Sequence, residues 1–224
     1  APKDTSIIEI DMPKLDIWHY NDDYLQTVQN YPARLRNAQQ ENFLAVYDLD
    51  KKIINQLGSA AIPLVYQTNE GDGDQFVGIT DVGKRIESQW RGNTLKDIYA
   101  INVNDGSKKL VKKDMEGFIP PQYISPTGKY IMWYDSKARN YFTWDGAAVK
   151  NITEKIKVPL WDEEHDSPSN PPPYGVVKWQ ENEDYVFIND RYGIWKVNPE
   201  SKLIPINLVG ARDKKTQYRY VQLD

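Results

Sequence analysis

The sequence predicts an all-β chain of β-propeller blades, each of four antiparallel strands, on three observations. The first is a recurring strand: the aromatic runs 75–81, 130–135 and 185–190 each end in an aspartate (Asp81, Asp135, Asp190), spaced 54 and 55 residues apart. Self-similarity at a period of roughly 40–55 residues marks an array of small sheets. The second is turn chemistry at matching places, Asp105-Gly106 and Asp145-Gly146 between β-like runs, where glycine accepts positive φ. The third is an aromatic content of 12%, which suits a pleated, half-buried surface.

Taken in order, the first full unit spans about 62–116. Its strand 75–81 is followed by a second at 97–103, the Asn104-Asp105-Gly106 turn, and a strand from Lys109. The second unit, about 118–156, runs through Tyr123-Ile124 and the Ser125-Pro126-Thr127-Gly128 turn, where proline presets φ and glycine relieves the later position. It continues with strands at 130–135, 141–144 and 149–153. The third unit, about 174–209, has strands at 185–190, 194–197 and 204–208, with a turn at Asn198-Pro199-Glu200-Ser201. A partial copy, about 7–60, contains 43–49 and 52–57, and a trailing strand is expected at 217–223. A sandwich of hairpins is the alternative, but it does not require so regular a repeat.

About three and a half blades result, forming one partial propeller over 1–224. A closed ring takes at least about four, so the chain is expected to be an arc of a longer propeller, with open edges able to drive self-association. Two segments break the pattern. Residues 20–42 place Tyr24, Leu25, Val28, Tyr31 and Leu35 at spacings that fit a short helix before a turn at Pro32. Residues 158–175 carry Pro168, Pro171, Pro172 and Pro173 after the acidic run, in an extended loop.

Composition narrows the function. Net charge is −4, from 28 basic and 32 acidic residues intermixed, which leaves no broad positive face for nucleic acid. The chain has no cysteine, so disulfides and thiolate metal sites are excluded. No apolar run approaches the ~18 residues of a membrane span. The chain starts at Ala1 without an apolar leader stretch, which points to a processed or excised chain.

Three stretches resemble the N-terminal propeller of serine peptidases of the prolyl oligopeptidase family, in the dipeptidyl-peptidase-like branch. They are Leu15-Asp16-Ile17-Trp18-His19-Tyr20-Asn21-Asp22; the run from Val158-Pro159-Leu160-Trp161 through Pro173-Tyr174-Gly175; and Tyr185 to Trp195, especially Asn189-Asp190-Arg191-Tyr192-Gly193-Ile194-Trp195. The resemblance implies a partner α/β-hydrolase domain in the same parent protein, a peptide substrate, and a periplasmic or secreted location. The implied role of the propeller is to cover the peptide-hydrolysing site and gate access to it. That hydrolase domain is absent from the chain: none of its nine serines sits in the Gly-x-Ser-x-Gly elbow, so the chain alone is expected to be inactive. The other reading is a stand-alone propeller binding module, similar to TolB-like or WD-repeat proteins. A propeller carbohydrate enzyme is a third, for which the chain offers no carboxylate pair across blades.

No catalytic, metal or cofactor set is expected. The substrate-contact candidates are Glu163, Glu164 and Asp166, in the acidic run Asp162-Glu163-Glu164-His165-Asp166, together with Arg191. The carboxylates suit a peptide α-amine through charge-assisted hydrogen bonds, and the double glutamate is similar to the amine-gripping pair of dipeptidyl-peptidases. A guanidinium suits a substrate carboxylate. The alternatives are a solvated loop and an arginine paired within or between blades. Asn69-Glu70-Gly71-Asp72-Gly73-Asp74 resembles a calcium loop without its closing glutamate, or an ordinary turn. His19 reads as structural. Lys108, Lys109, Lys112 and Lys113 read as a charged strand edge that discourages unwanted pairing.

Overall fold

The computed structural model describes residues 15, 17–31, 41–210, 212–221 and 223. The chain divides into two compact units, Ala1–Glu41 and Asn42–Asp224. In the first, a single helical turn, α1 (Gln26–Gln29), follows a hydrogen-bonded stretch in which the Trp18 indole N–H donates to Tyr24 O at 3.3 Å. His19 is structural in its contacts: its backbone N–H donates to Asp22 Oδ2 at 2.9 Å and its Nδ1 accepts from Asn21 N at 3.1 Å. Residues 7–14, 16 and 32–40 of the expected partial copy, with Pro32 of the expected turn and Leu35 of the expected helical spacing, lie outside the described residues, as does Gln222 of the expected trailing strand.

The second unit is all-β. A two-stranded hairpin, β1 (Ala45–Asp48) and β2 (Ile53–Gln56), precedes three four-stranded sheets. The first of these joins β3 (Leu64–Tyr66), β4 (Gln75–Thr80), β5 (Lys96–Asn102) and β6 (Lys108–Met115). The next joins β7 (Gly117–Phe118), β8 (Ile131–Asp135), β9 (Asn140–Trp144) and β10 (Val149–Asn151). The last joins β11 (Val176–Trp179), β12 (Val186–Asn189), β13 (Ile194–Val197) and β14 (Ile206–Asn207). Neighbours in sequence are neighbours in every sheet, and all pairs are antiparallel. A short helix, α2 (Ser88–Arg91), interrupts the long β4–β5 connection.

The recurring aspartates owe their positions to the hairpins. Asp135 Oδ1 accepts the backbone N–H groups of Lys137 and Ala138 at 3.1 and 2.8 Å, closing the β8–β9 turn. Asp190 does the same for Tyr192 and Gly193 after β12, and its Oδ2 also accepts the Trp195 indole N–H at 2.8 Å. Asp48 repeats the pattern in the β1–β2 hairpin with Asp50 and Lys51. A short carboxylate can satisfy turn donors that no strand reaches, which is why aspartate recurs at strand ends. Asp81 departs from the pattern because it opens the long connection, where it takes the Arg85 guanidinium at 2.6 Å.

Packing explains why the middle strands read as unbroken apolar runs. In β8, Ile131, Met132, Trp133 and Tyr134 are all fully buried. Ile131 and Trp133 join a core with Val77, Ile79 and Ile98 of the preceding sheet. Met132 and Tyr134 join another with Val186, Ile188 and Val197 of the following sheet. A period of two puts alternate side chains on opposite faces, so this sheet is covered on both. Phe76 and Ile101, from the other face of the β3–β6 sheet, pack with Leu57 just beyond β2. Each such side chain contributes about 1.5–3 kcal/mol when fully buried.

Polar bonds link successive sheets across about one repeat. The Asn55 amide donates to Val103 O and Asn104 O at 3.3 and 2.7 Å. The Gln75 amide donates to Gly128 O at 2.7 Å. Gly128 (φ 80°) is required there, because a Cβ would lie 2.7 Å from Gln75 O. Glu183, buried at 4% exposure, accepts both the N–H and the hydroxyl of Thr127 at 2.6 and 2.9 Å. Thr143 Oγ1 donates to Pro199 O at 2.6 Å.

Three expectations need adjustment. Residues 217–221 form no ladder, because the stretch meets the sheet through one backbone bond, Tyr218 N to Tyr192 O at 2.8 Å. Tyr123 lies in a 3-10 turn, so the first strand of its sheet is the earlier Gly117–Phe118. The β6 lysines are more than a solvated edge: Lys108 Nζ donates back to Gln56 O at 3.1 Å, and Lys109 Nζ donates forward to Gly146 O at 2.9 Å while lying 5.1 Å from the Trp144 ring centre.

Candidate functional site

The acidic loop is built on a buried foot. Ile152 and Leu160 sit in the core with β12 and β13 residues, at 2% exposure each. Trp161 and Pro173 form an isolated antiparallel bridge, supported by Asp162 N to Pro172 O at 2.8 Å and Tyr174 N to Leu160 O at 2.9 Å. The prolines remove ladder donors, so the segment between these anchors bulges out as a loop. The Arg139 guanidinium lies 5.1 Å from the Trp161 ring centre and braces the foot from the β8–β9 turn.

At the tip, each glutamate meets its own arginine. Glu163 accepts a two-pronged contact from Arg212, at 3.0 and 2.9 Å, and its backbone N–H donates to the Tyr174 hydroxyl at 3.0 Å. Glu164 pairs with Arg191 Nη2. The Arg191 and Arg212 guanidinium carbons lie 5.3 and 5.4 Å from the Tyr192 ring centre. The carboxylate partners raise the pKa of both guanidinium groups further, so both stay charged. Arg219 ties the 212–221 segment to the same place by donating to Arg191 O at 2.9 Å.

The four residues singled out from the sequence therefore converge only in part. Glu163, Glu164 and Arg191 share one network, and Asp166 lies on the exposed part of the loop. His165 Nε2 and Ser169 Oγ are 3.1 Å apart, a contact within the loop. Ser169 stands between Pro168 and Asn170, away from any glycine elbow. Arg212 was not foreseen: it lies 49 residues beyond Glu163, in a stretch without strand patterning. The Asn69–Asp74 run is used by its own turn and neighbours. Asn69 N donates to Pro126 O at 2.6 Å, Thr68 Oγ1 to Gln75 O at 2.7 Å, and the Asn104 amide to Asp74 Oδ1 at 3.2 Å. Among the described residues, no three acidic, histidine or cysteine side chains gather as metal ligands. Among them, too, no helix is long and apolar enough to cross a membrane.

Chemically, the network is a charge-balanced surface cluster. A cation reaching Glu164, whose side chain is 73% exposed, has to displace only Arg191; Glu163, at 22%, is held from two directions. The chain matches no family model, and no curated protein matches it.

Proposed function

We propose that the chain is the non-catalytic propeller part of a secreted or periplasmic serine peptidase of the prolyl oligopeptidase and dipeptidyl-peptidase type, and that it covers and gates the peptide-hydrolysing site. One observation carries the propeller reading: three four-stranded antiparallel sheets follow one another in sequence order and pack face to face, through a separate core at each junction. Blades of a propeller stack in this way, whereas a two-sheet sandwich has one core between its layers. The peptidase reading rests on the sequence resemblance at 15–22, 158–175 and 185–195.

In this reading the 162–166 loop is the peptide-contacting element. A peptide α-amine competes with Arg191 for Glu164, Asp166 adds charge, and the released Arg191 is free for a peptide carboxylate. The test compares hydrolysis of chromogenic dipeptidyl and prolyl substrates by this chain and by the whole polypeptide its gene encodes. The whole polypeptide should cleave them and be silenced by a fluorophosphonate, while the chain alone should be inert. Inhibitor-sensitive cleavage by the chain alone would refute the non-catalytic role. An inert whole polypeptide would refute the peptidase assignment and favour a stand-alone binding module.

A further inference from the structure

A cleft of about 350 Å³, separate from the acidic loop, is walled by Leu64 and Tyr66 of β3, Ile79 of β4, Phe118 of β7 and Pro120, with Lys96 at the head of β5. Ladder irregularities directly follow this lysine: Lys96 pairs with Met115, but the register shifts between Lys96 and Ile98 and again between Ile98 and Tyr99. Such irregularities re-aim side chains next to sites. The long β4–β5 connection supplies the adjoining wall through Gly92, Asn93 and Thr94.

The Lys96 ammonium is poorly matched by the protein. Its Nζ reaches two backbone carbonyls, Thr94 O and Gly117 O, each at 3.4 Å, at the long limit of a hydrogen bond. An ammonium carries three donors, so at least one has no acceptor among the described residues. The carboxylate whose field reaches it, Asp81, is engaged by Arg85 at 2.6 Å. Glu116 is occupied by the amides of Asn93 and Asn170, at 3.2 and 2.8 Å. Burial pushes the amine pKa down, with Asp81 acting in the opposite sense. A half-buried cation without a counter-ion is unfavourable, and a concave apolar wall with few polar groups is the usual form of a ligand site.

We propose that this cleft binds small organic carboxylates with an apolar body, the Lys96 ammonium taking the carboxylate and Leu64, Tyr66, Ile79 and Phe118 taking the body. A single point charge matches a monoanion; a phosphate would call for more donors or a planar guanidinium fork. This inference is independent of the peptidase reading, because it concerns a cleft of this chain alone.

The test is a ligand-observed NMR titration of the 224-residue chain with N-acetylphenylalanine and with its amide, which differ only in the charged group. The acid should bind saturably and the amide at least about ten-fold more weakly. Lys96→Met should erase that difference, and Lys96→Arg should restore part of it. Leu64→Trp, at a half-exposed wall position, should block the acid while leaving the amine intact, so the result does not depend on Lys96→Met folding. Equal binding of acid and amide, no saturable binding of the acid, or undiminished acid binding by a folded Lys96→Met variant would each overturn the proposal.

Discussion

Glu183 and Arg212 both take part in interactions at long sequence separation, but only one of them should matter to stability. Glu183 is buried and is the acceptor for two Thr127 donors. Glu183→Ala removes two hydrogen bonds to a charged, buried acceptor and should cost about 1.5–3 kcal/mol. The check is a lower urea midpoint at unchanged slope. Arg212 and Glu163 keep 34% and 22% side-chain exposure, and pairs of this kind are worth about 0–1 kcal/mol. Arg212→Ala should therefore leave the midpoint nearly where it was. Asp145 provides a pH test. The Ala148 backbone N–H, then Lys150, hold its carboxyl well below the usual carboxylate range. A depressed folded pKa means stability that is complete above the unfolded value and lost as pH falls below it toward the folded one. Asp145→Asn keeps the turn acceptor but not the charge. The melting-temperature gap to the parent chain should thus be present at pH 7 and shrink steadily below about pH 4.

At the scale of elements, strands were legible wherever local chemistry decided them. The aspartate-closed hairpins, the Asp-Gly turns and the all-apolar β8 run all carry signals within a few residues. What stayed hidden was set by distant partners. The opening strand of the second sheet is only Gly117–Phe118, too short for any pattern, and its place is fixed by pairing with Asp135 and Tyr134. Gly117 (φ 148°) has no room for a side chain, since a Cβ would sit 2.0 Å from Tyr134 O. Gly117→Ala should destabilise by at least about 3 kcal/mol, read as a large fall in melting temperature. The candidate site was legible to the same degree. The clustered carboxylates stood out by their density, but their arginine partners lie 27 and 49 residues away, beyond the reach of any spacing rule. Lys96 carried no signal, because a lysine at the head of a strand is ordinary until its surroundings are known.

For residues 42–224 as a whole, the proposed open arc of sheets implies two uncovered ends. Tyr47 and Ile54, cross-strand partners in the first hairpin, are 53% and 69% exposed. Ile204, Ile206 and Leu208 near the last strand are 73%, 55% and 49% exposed. Apolar side chains on open sheets favour pairing with another copy. Light scattering should accordingly show concentration-dependent self-association, weakened by Ile54→Lys. A chain that stays monomeric at every concentration would count against open-ended stacking. The proposal that this stack belongs to a peptidase puts the chemistry outside residues 1–224. Sequencing the complete reading frame on both sides of the chain tests it most directly. The expected result is a continuous frame with an α/β-hydrolase segment bearing Gly-x-Ser-x-Gly, followed by its aspartate and histidine. A frame with no such segment would contradict it.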